Sequence, residues 1–253
     1  SPASAAAVVY AERSRFTRVS CGVNVDAYAL YAAALVAQGA DLRFGDCASS
    51  GSVKALDYSA GILAYGTGTN LFAGCENAAS ISSFSVSGGI AGRMSTGATV
   101  SDCVNTGAIS AEFSYDHRRG NFFYTGGILG YGGGRIENCR NMGTVTFSSS
   151  NSYQSVPVYG GGIAGNFSGN ATACFSSGNV SVSARNHTSY AGGLFGELLD
   201  DATLSVSGSS GSVSAFNNRL GAYAGGLVGY AHSGMISDCQ YTGASVSARD
   251  NFG

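Results

Sequence analysis

Short runs that alternate between apolar and polar residues recur along the whole chain, while helical spacing of three to four residues is nearly absent. Gly178-Asn179-Val180-Ser181-Val182-Ser183 is typical. Its period of two puts every second side chain on one face, which predicts a strand. Glycines between the runs supply corners that need positive φ. A longer pattern overlies these runs: a glycine pair, an apolar pair and a small residue. Its clear copies are Gly88 to Gly92, Gly126 to Gly130, Gly161 to Gly165, Gly192 to Gly196 and Gly225 to Gly229. Ala60 to Ala64 is a weaker copy and Ala33 to Ala37 a degenerate one, so starts fall 27, 28, 38, 35, 31 and 33 residues apart. A period of this size marks a repeat array whose units bury their apolar faces against one another. Three short strands and their corners fill one period. The chain therefore predicts an all-β fold, a parallel β-helix (β-solenoid) of about seven coils stacked at about 4.8 Å. Residues 27–253 form the array, and residues 1–26 an N-terminal segment or partial first coil.

The second half of each unit aligns on cysteine, as in Thr99-Val100-Ser101-Asp102-Cys103-Val104-Asn105-Thr106-Gly107. Stacking in register then explains why residue types recur. Tyr31, Tyr58, Tyr124, Tyr159, Tyr190 and Tyr223 stand two residues before the glycine pair, with Val86 in the remaining copy. Their rings are expected to stack one above another. Asn77, Asn105 and Asn141 share one corner, where amides can bond along the stack and to turn backbone. Both columns read as structural.

Composition changes the picture in two ways. Only 11% of residues are charged, so Ser, Thr, Asn and Gly must cover most of the surface. A net charge of −2 gives no field for nucleic acid or an anionic membrane. The longest apolar stretch, Ala27 to Ala37, is too short to span a bilayer and aligns with the later coils rather than with a helix. The start at Ser1, without initiator Met or signal peptide, reads as a piece excised from a longer protein.

The glycine phrase followed by Cys-x-Asn-x-Gly-x-Val resembles the GLUG-motif repeats found in tandem in large bacterial surface proteins. Such repeats accompany immunoglobulin-A-cleaving metallopeptidases as an accessory region. The resemblance covers roughly residues 33 to 246. It implies a right-handed β-helix on a secreted or cell-surface attached bacterial protein, with flanking domains in a longer parent. It implies no activity: these repeats resemble stalks, spacers or binding modules. The His-Glu-x-x-His of the metallopeptidases is absent from this sequence.

Several groups of reactive residues suggest chemistry and then lose it on inspection. The seven cysteines contain no Cys-x-x-Cys, which argues against zinc. Six occupy one repeat position, with Ser207 in the fifth copy. The simple reading is a small reduced side chain filling the interior. Disulfides between adjacent coils are the rival, although parallel Cβ vectors orient the sulfurs poorly. Asp46, Asp102 and Asp238 precede cysteine but lack a carboxylate neighbour on an adjacent coil, so they read as turn caps rather than an acid–base pair. Glu197 with Asp200 and Asp201 reads as a solvated corner. His117, His187 and His232 fall in different parts of the repeat. Gly160-x-Gly162-x-x-Gly165 matches a dinucleotide fingerprint only in spelling, since no helix follows it. No cofactor or metal is expected.

Insertions break the regularity. From the second-half glycine to the next glycine pair, early copies need 9 residues and later ones 19, 18, 14 and 14. The extra length emerges along one edge, where insertions often form a binding face. It carries Phe113, Tyr115, His117, Arg118, Arg119, Phe122, Phe123, Tyr153, Arg185, His187, Phe216 and Arg219. Aromatics beside arginines dominate interfaces and stack on sugars. The alternative is that the insertions pair as extra strands with their aromatics packed on the rod. The expected function is a non-enzymatic, adhesin-type surface module that binds a host protein or glycan, with no nucleic acid and no direct membrane insertion. A passive stalk is the alternative in the same class, and a polysaccharide-cleaving β-helix enzyme is the alternative in another.

Overall fold

Period-two runs and glycine corners produce coils of three strand regions each. The computed structural model describes residues 2–113, 123–150, 156–199 and 201–251. One coil contains Phe123–Gly126, then Leu129–Glu137, then Arg140–Asn141 with Val145–Ser149. Successive coils align in parallel and in register, so each region builds a sheet along the rod. The first sheet has eight strands, from Ala3–Ala5 to Ala222–Gly225. The second and third have 14 each, because most coils contribute two short strands to them. No helix occurs among the described residues. The Ala27–Ala37 stretch contributes strand Tyr31–Ala33 and the start of strand Val36–Ala40.

The fold is the expected β-solenoid, with one rung more than the glycine phrases count. Residues 3–26 lay down a complete first coil, whose strands pair with those of the second. Its glycine phrase is unrecognisable, so repeat counting passes over it. Eight rungs at about 4.8 Å give a rod roughly 34 Å long.

Columns of like residues fill the interior. Phe16, Phe44 and Phe72 stack at 5.1 and 4.9 Å, and Val100, Ile136, Ala171 and Leu204 continue the column. The paired glycines exist because the corner has no room for side chains. A Cβ on Gly126 would strike the Leu129 carbonyl oxygen, and one on Gly127 the Gly162 carbonyl and the Asn141 side chain.

The asparagine column is a buried chain of hydrogen bonds. Ser49 Oγ donates to Asn77 Oδ1 at 2.7 Å, Asn77 Nδ2 to Asn105 Oδ1 at 2.6 Å, and Asn105 Nδ2 to Asn141 Oδ1 at 2.7 Å. Each amide also donates to the carbonyl two residues on: Ala79, Gly107 or Gly143. The chain then ends on Ser176 Oγ at 3.3 Å. Beside it runs the cysteine column of six thiols; Cys21 lies apart, in register with Ser49, and all seven thiols of the protein are free. Each thiol of the column donates to the carbonyl two residues back, as Cys103 does to Ser101 at 3.2 Å; Ser207 makes the same bond to Ser205 at 2.7 Å. Burial pushes the Cys174 thiol up to about 12, so it stays protonated at neutral pH.

The residue before each cysteine turns the chain through the left-handed region. Asp46, Asp102, Asn138 and Asp238 have φ between 51° and 55°. Asp and Asn tolerate that conformation best after glycine. The aspartates are therefore corner residues, as their spacing suggests.

Candidate functional site

Strand alternation determines where the tyrosines go. In Phe123-Tyr124 the phenylalanine points into the core and the tyrosine out of it. The outward column runs in register through Tyr31, Tyr58, Val86, Tyr124, Tyr159, Tyr190 and Tyr223. Ring centroids lie 5.5 Å apart for Tyr31–Tyr58 and Tyr124–Tyr159, and 5.0 Å apart for Tyr159–Tyr190 and Tyr190–Tyr223.

A second outward column faces the first across the glycine corner. It consists of the residue that directly follows the small residue closing each phrase: Gln38, Tyr65, Arg93, Tyr131, Asn166, Glu197 and Tyr230. The corner folds the two strands close enough for rings to meet. Tyr31 and Tyr65 are 4.9 Å apart, Tyr124 and Tyr131 5.1 Å, and Tyr190 and Tyr230 5.2 Å. Val86, Tyr124 and Tyr159 form an apolar cluster outside the main core, flanked by Tyr58, Tyr131 and Tyr190. The result is a groove along the rod, walled by aromatic faces and interrupted by polar groups.

Two stretches of this groove differ. On the fourth rung Val86 replaces tyrosine and Arg93 stands opposite. The missing ring leaves a pocket of about 110 Å³ lined by Tyr58, Val86, Arg93, Tyr124 and Tyr131. The Arg93 guanidinium lies 5.2 Å from the Tyr65 ring and 5.6 Å from the Tyr131 ring, and donates to the Tyr65 hydroxyl at 3.5 Å. Burial pushes the Tyr58 hydroxyl up, and the positive charge of Arg93 opposes that rise. On the other side of Arg93 and Tyr131 lies a second pocket of about 310 Å³, whose walls include Thr67, Ser95, Thr96, Asn166 and Ser168.

Further along, on the sixth to eighth rungs, the groove is polar. Glu197 is only 5% exposed, so the solvated corner expected for it is corrected: it faces the corner between the two strands, where neighbouring rings cover it. Asn166 Nδ2 donates to Glu197 Oε2, and His232 Nε2 lies 2.9 Å from Oε1. Burial, followed by the Glu197 charge, pushes the Tyr159 hydroxyl above its ordinary range. Asn166 Oδ1 is buried without a partner among the described residues. Among those residues no group of three or more His, Cys, Asp and Glu could hold a metal ion.

The insertion edge is a different matter. Tyr115, His117, Arg118, Arg119, Phe122 and Tyr153 lie outside the described residues. Phe113, Phe123 and His187 are buried and present no surface, which corrects their assignment to a binding face. Phe113 and Phe123 lie 4.6 Å apart, and His187 packs 5.6 Å from Phe123. Part of the inserted length extends the strands, giving Ile109–Phe113 where the preceding coil has Ser80–Ser83, and the added residues widen the core. His187 sits there with Nδ1 2.9 Å from the Val156 carbonyl, and burial lowers its pKa. Arg185 and Arg219 are exposed and Phe216 is half-buried, on neighbouring rungs of the same edge.

No protein-family model and no curated protein matches the chain. Among solved structures, it is similar to a "putative immunoglobulin A1 protease" from Bacteroides ovatus. The identity is 17% and the TM-score 0.39, over 94% of this chain. The match spans 60% of that protein's length.

Proposed function

We propose that the chain is a non-enzymatic binding module of a larger secreted or cell-surface bacterial protein, and that it holds an extended glycan in the tyrosine groove. The observation that carries this reading is the paired column of tyrosine rings with the half-buried guanidinium of Arg93 set among them. Aromatic faces stack on the apolar faces of sugars, and the polar groups between them fix hydroxyls. The ring columns run along the rod, which suits a polymer. The GLUG resemblance supports the surface placement and the flanking domains. A host protein held on the insertion edge is the rival ligand.

A glycan and host-matrix protein array tests both. It would compare the wild-type chain, Tyr131→Ala, and a variant with residues 114–122 replaced by a short Gly-Ser turn. Glycan binding lost only in Tyr131→Ala supports the groove. Protein binding lost only in the loop variant moves the site to the edge, and no binding by any form leaves a passive stalk. Polysaccharide cleavage is the one catalytic rival that an observation favours, through the buried Glu197 against His232. Glu197 is hydrogen-bonded to Asn166 and His232, whereas the common acid–base mechanism uses a second carboxylate about 5 to 10 Å away. Cleavage of a uronic acid polymer, abolished in Glu197→Gln, would establish the enzyme instead.

A further inference from the structure

The interrupted rung joins two features that point to one ligand chemistry. The first is a slot for a ring. With tyrosine missing at Val86, the rungs above and below lie roughly 9.6 Å apart, two strand spacings, which admits one ring between the Tyr58 and Tyr124 faces. The pocket there, about 110 Å³, is walled by those rings and Tyr131.

The second feature is an unneutralised cation beside the slot. Arg93 is half-buried between Tyr65 and Tyr131. The ion pairs among the described residues are Arg135–Glu137 and His232–Glu197, and Arg93 belongs to neither. The two ring contacts hold the guanidinium, which gives hydrogen bonds to the Tyr65 and Tyr58 hydroxyls and has five N–H donors in all, so others remain for a ligand. A planar fork of this kind matches a carboxylate through two parallel hydrogen bonds. The buried carboxylate of the groove, Glu197, lies three rungs away and is already bonded to Asn166 and His232, so it does not neutralise Arg93.

We infer that the fourth rung is the specificity site of the groove and takes the carboxylate-bearing ring of an acidic glycan. The ring lies in the Val86 slot, its carboxylate pairs with Arg93, and the next sugar occupies the hydroxyl-lined pocket of about 310 Å³ beyond Arg93 and Tyr131. This inference rests on the groove reading and adds the charge of the ligand to it.

Calorimetric titration can separate the two. The probes are tetragalacturonate and sialyllactose, which carry the same carboxylate in a uronic and a sialic sugar, each beside its carboxyl-reduced counterpart. The expected result is that at least one acidic probe binds, and that carboxyl reduction weakens it roughly tenfold to a hundredfold, the worth of a charge-assisted hydrogen bond. Arg93→Gln should bind both forms of that probe equally weakly, and Arg93→Lys should recover part of the preference. Which acid binds identifies the source. Val86→Tyr, which fills the slot from the opposite wall and leaves Arg93 in the sequence, should abolish binding while circular dichroism remains that of the wild type. Equal binding of acidic and reduced probes by the wild type overturns the inference and leaves the groove reading standing. Acidic preference that survives Arg93→Gln also overturns it. Binding of neither form, with an acidic peptide captured instead, overturns both readings.

Discussion

Two columns of repeated residues run along this rod, asparagines inside over three rungs and tyrosines outside over six of seven, and they are built differently. Inside, Asn77, Asn105 and Asn141 pass hydrogen bonds from rung to rung, and each amide also ties down its own turn. No member can change without orphaning its neighbours. Outside, the tyrosine column breaks at Val86, and the column facing it changes chemistry at nearly every rung, from Tyr65 to Arg93 to Tyr131 to Asn166 to Glu197. A column whose members are hydrogen-bonded to one another serves the fold. A column free to vary on a uniform scaffold is where recognition can be written.

The largest effect should come from the corner that supports both columns. Gly127→Ala drives a methyl group into the Gly162 backbone carbonyl, which cannot yield, and into the hydrogen-bonded side-chain amide of Asn141. We expect a loss of about 4 kcal/mol or more, read from the denaturation midpoint.

Breaking the interior column alone comes next. Asn105→Ala removes the acceptor of Asn77 Nδ2 and the donor to Asn141 Oδ1, both buried. Leaving these groups unpaired should cost about 3 kcal/mol in equilibrium unfolding. Tyr190→Ala, on the half-exposed column, should cost clearly less.

Corner residues between the columns can be improved. Val206 is held at φ 50° with its side chain 55% exposed, a conformation that a β-branched residue resists. Asn138 occupies the same corner two rungs earlier, so Val206→Asn should raise stability by about 1 kcal/mol.

The smallest effect concerns pH. Burial lowers the His187 pKa, so above its unfolded value of about 6.5 both states are neutral and stability is full. As pH falls below that value the unfolded chain takes up the proton first, and stability declines until pH reaches the depressed folded value. His187→Phe should flatten this acid slope in melts recorded between about pH 7 and 5.

Much of this architecture was legible because interior demands repeat. The glycine phrase and the cysteine alignment locate the coils, and the shared position of Asn77, Asn105 and Asn141 locates the amide chain. Phe113 and Phe123 were open to the same logic. Ile109-Ser110-Ala111-Glu112-Phe113 alternates, so Phe113 faces inward with Ile109, and Phe123 alternates with the outward Tyr124. Their place in an insertion obscured it. The first coil was hidden because Ala3–Ala5 keeps the strand without the glycine phrase. The groove was half visible: its tyrosine column recurs by type, but the facing column shares only a position. That Arg93 meets Tyr58 and Tyr131 depends on how sharply the glycine corner folds, a property of backbone packing between coils.

The claim at the centre of this account is that the missing ring at Val86 is a binding slot rather than a tolerated gap. Titration of tetragalacturonate and sialyllactose into folded Val86→Tyr tests it most directly. The account predicts that completing the tyrosine stack abolishes the binding seen with the wild type. Wild-type affinity in that variant would contradict it.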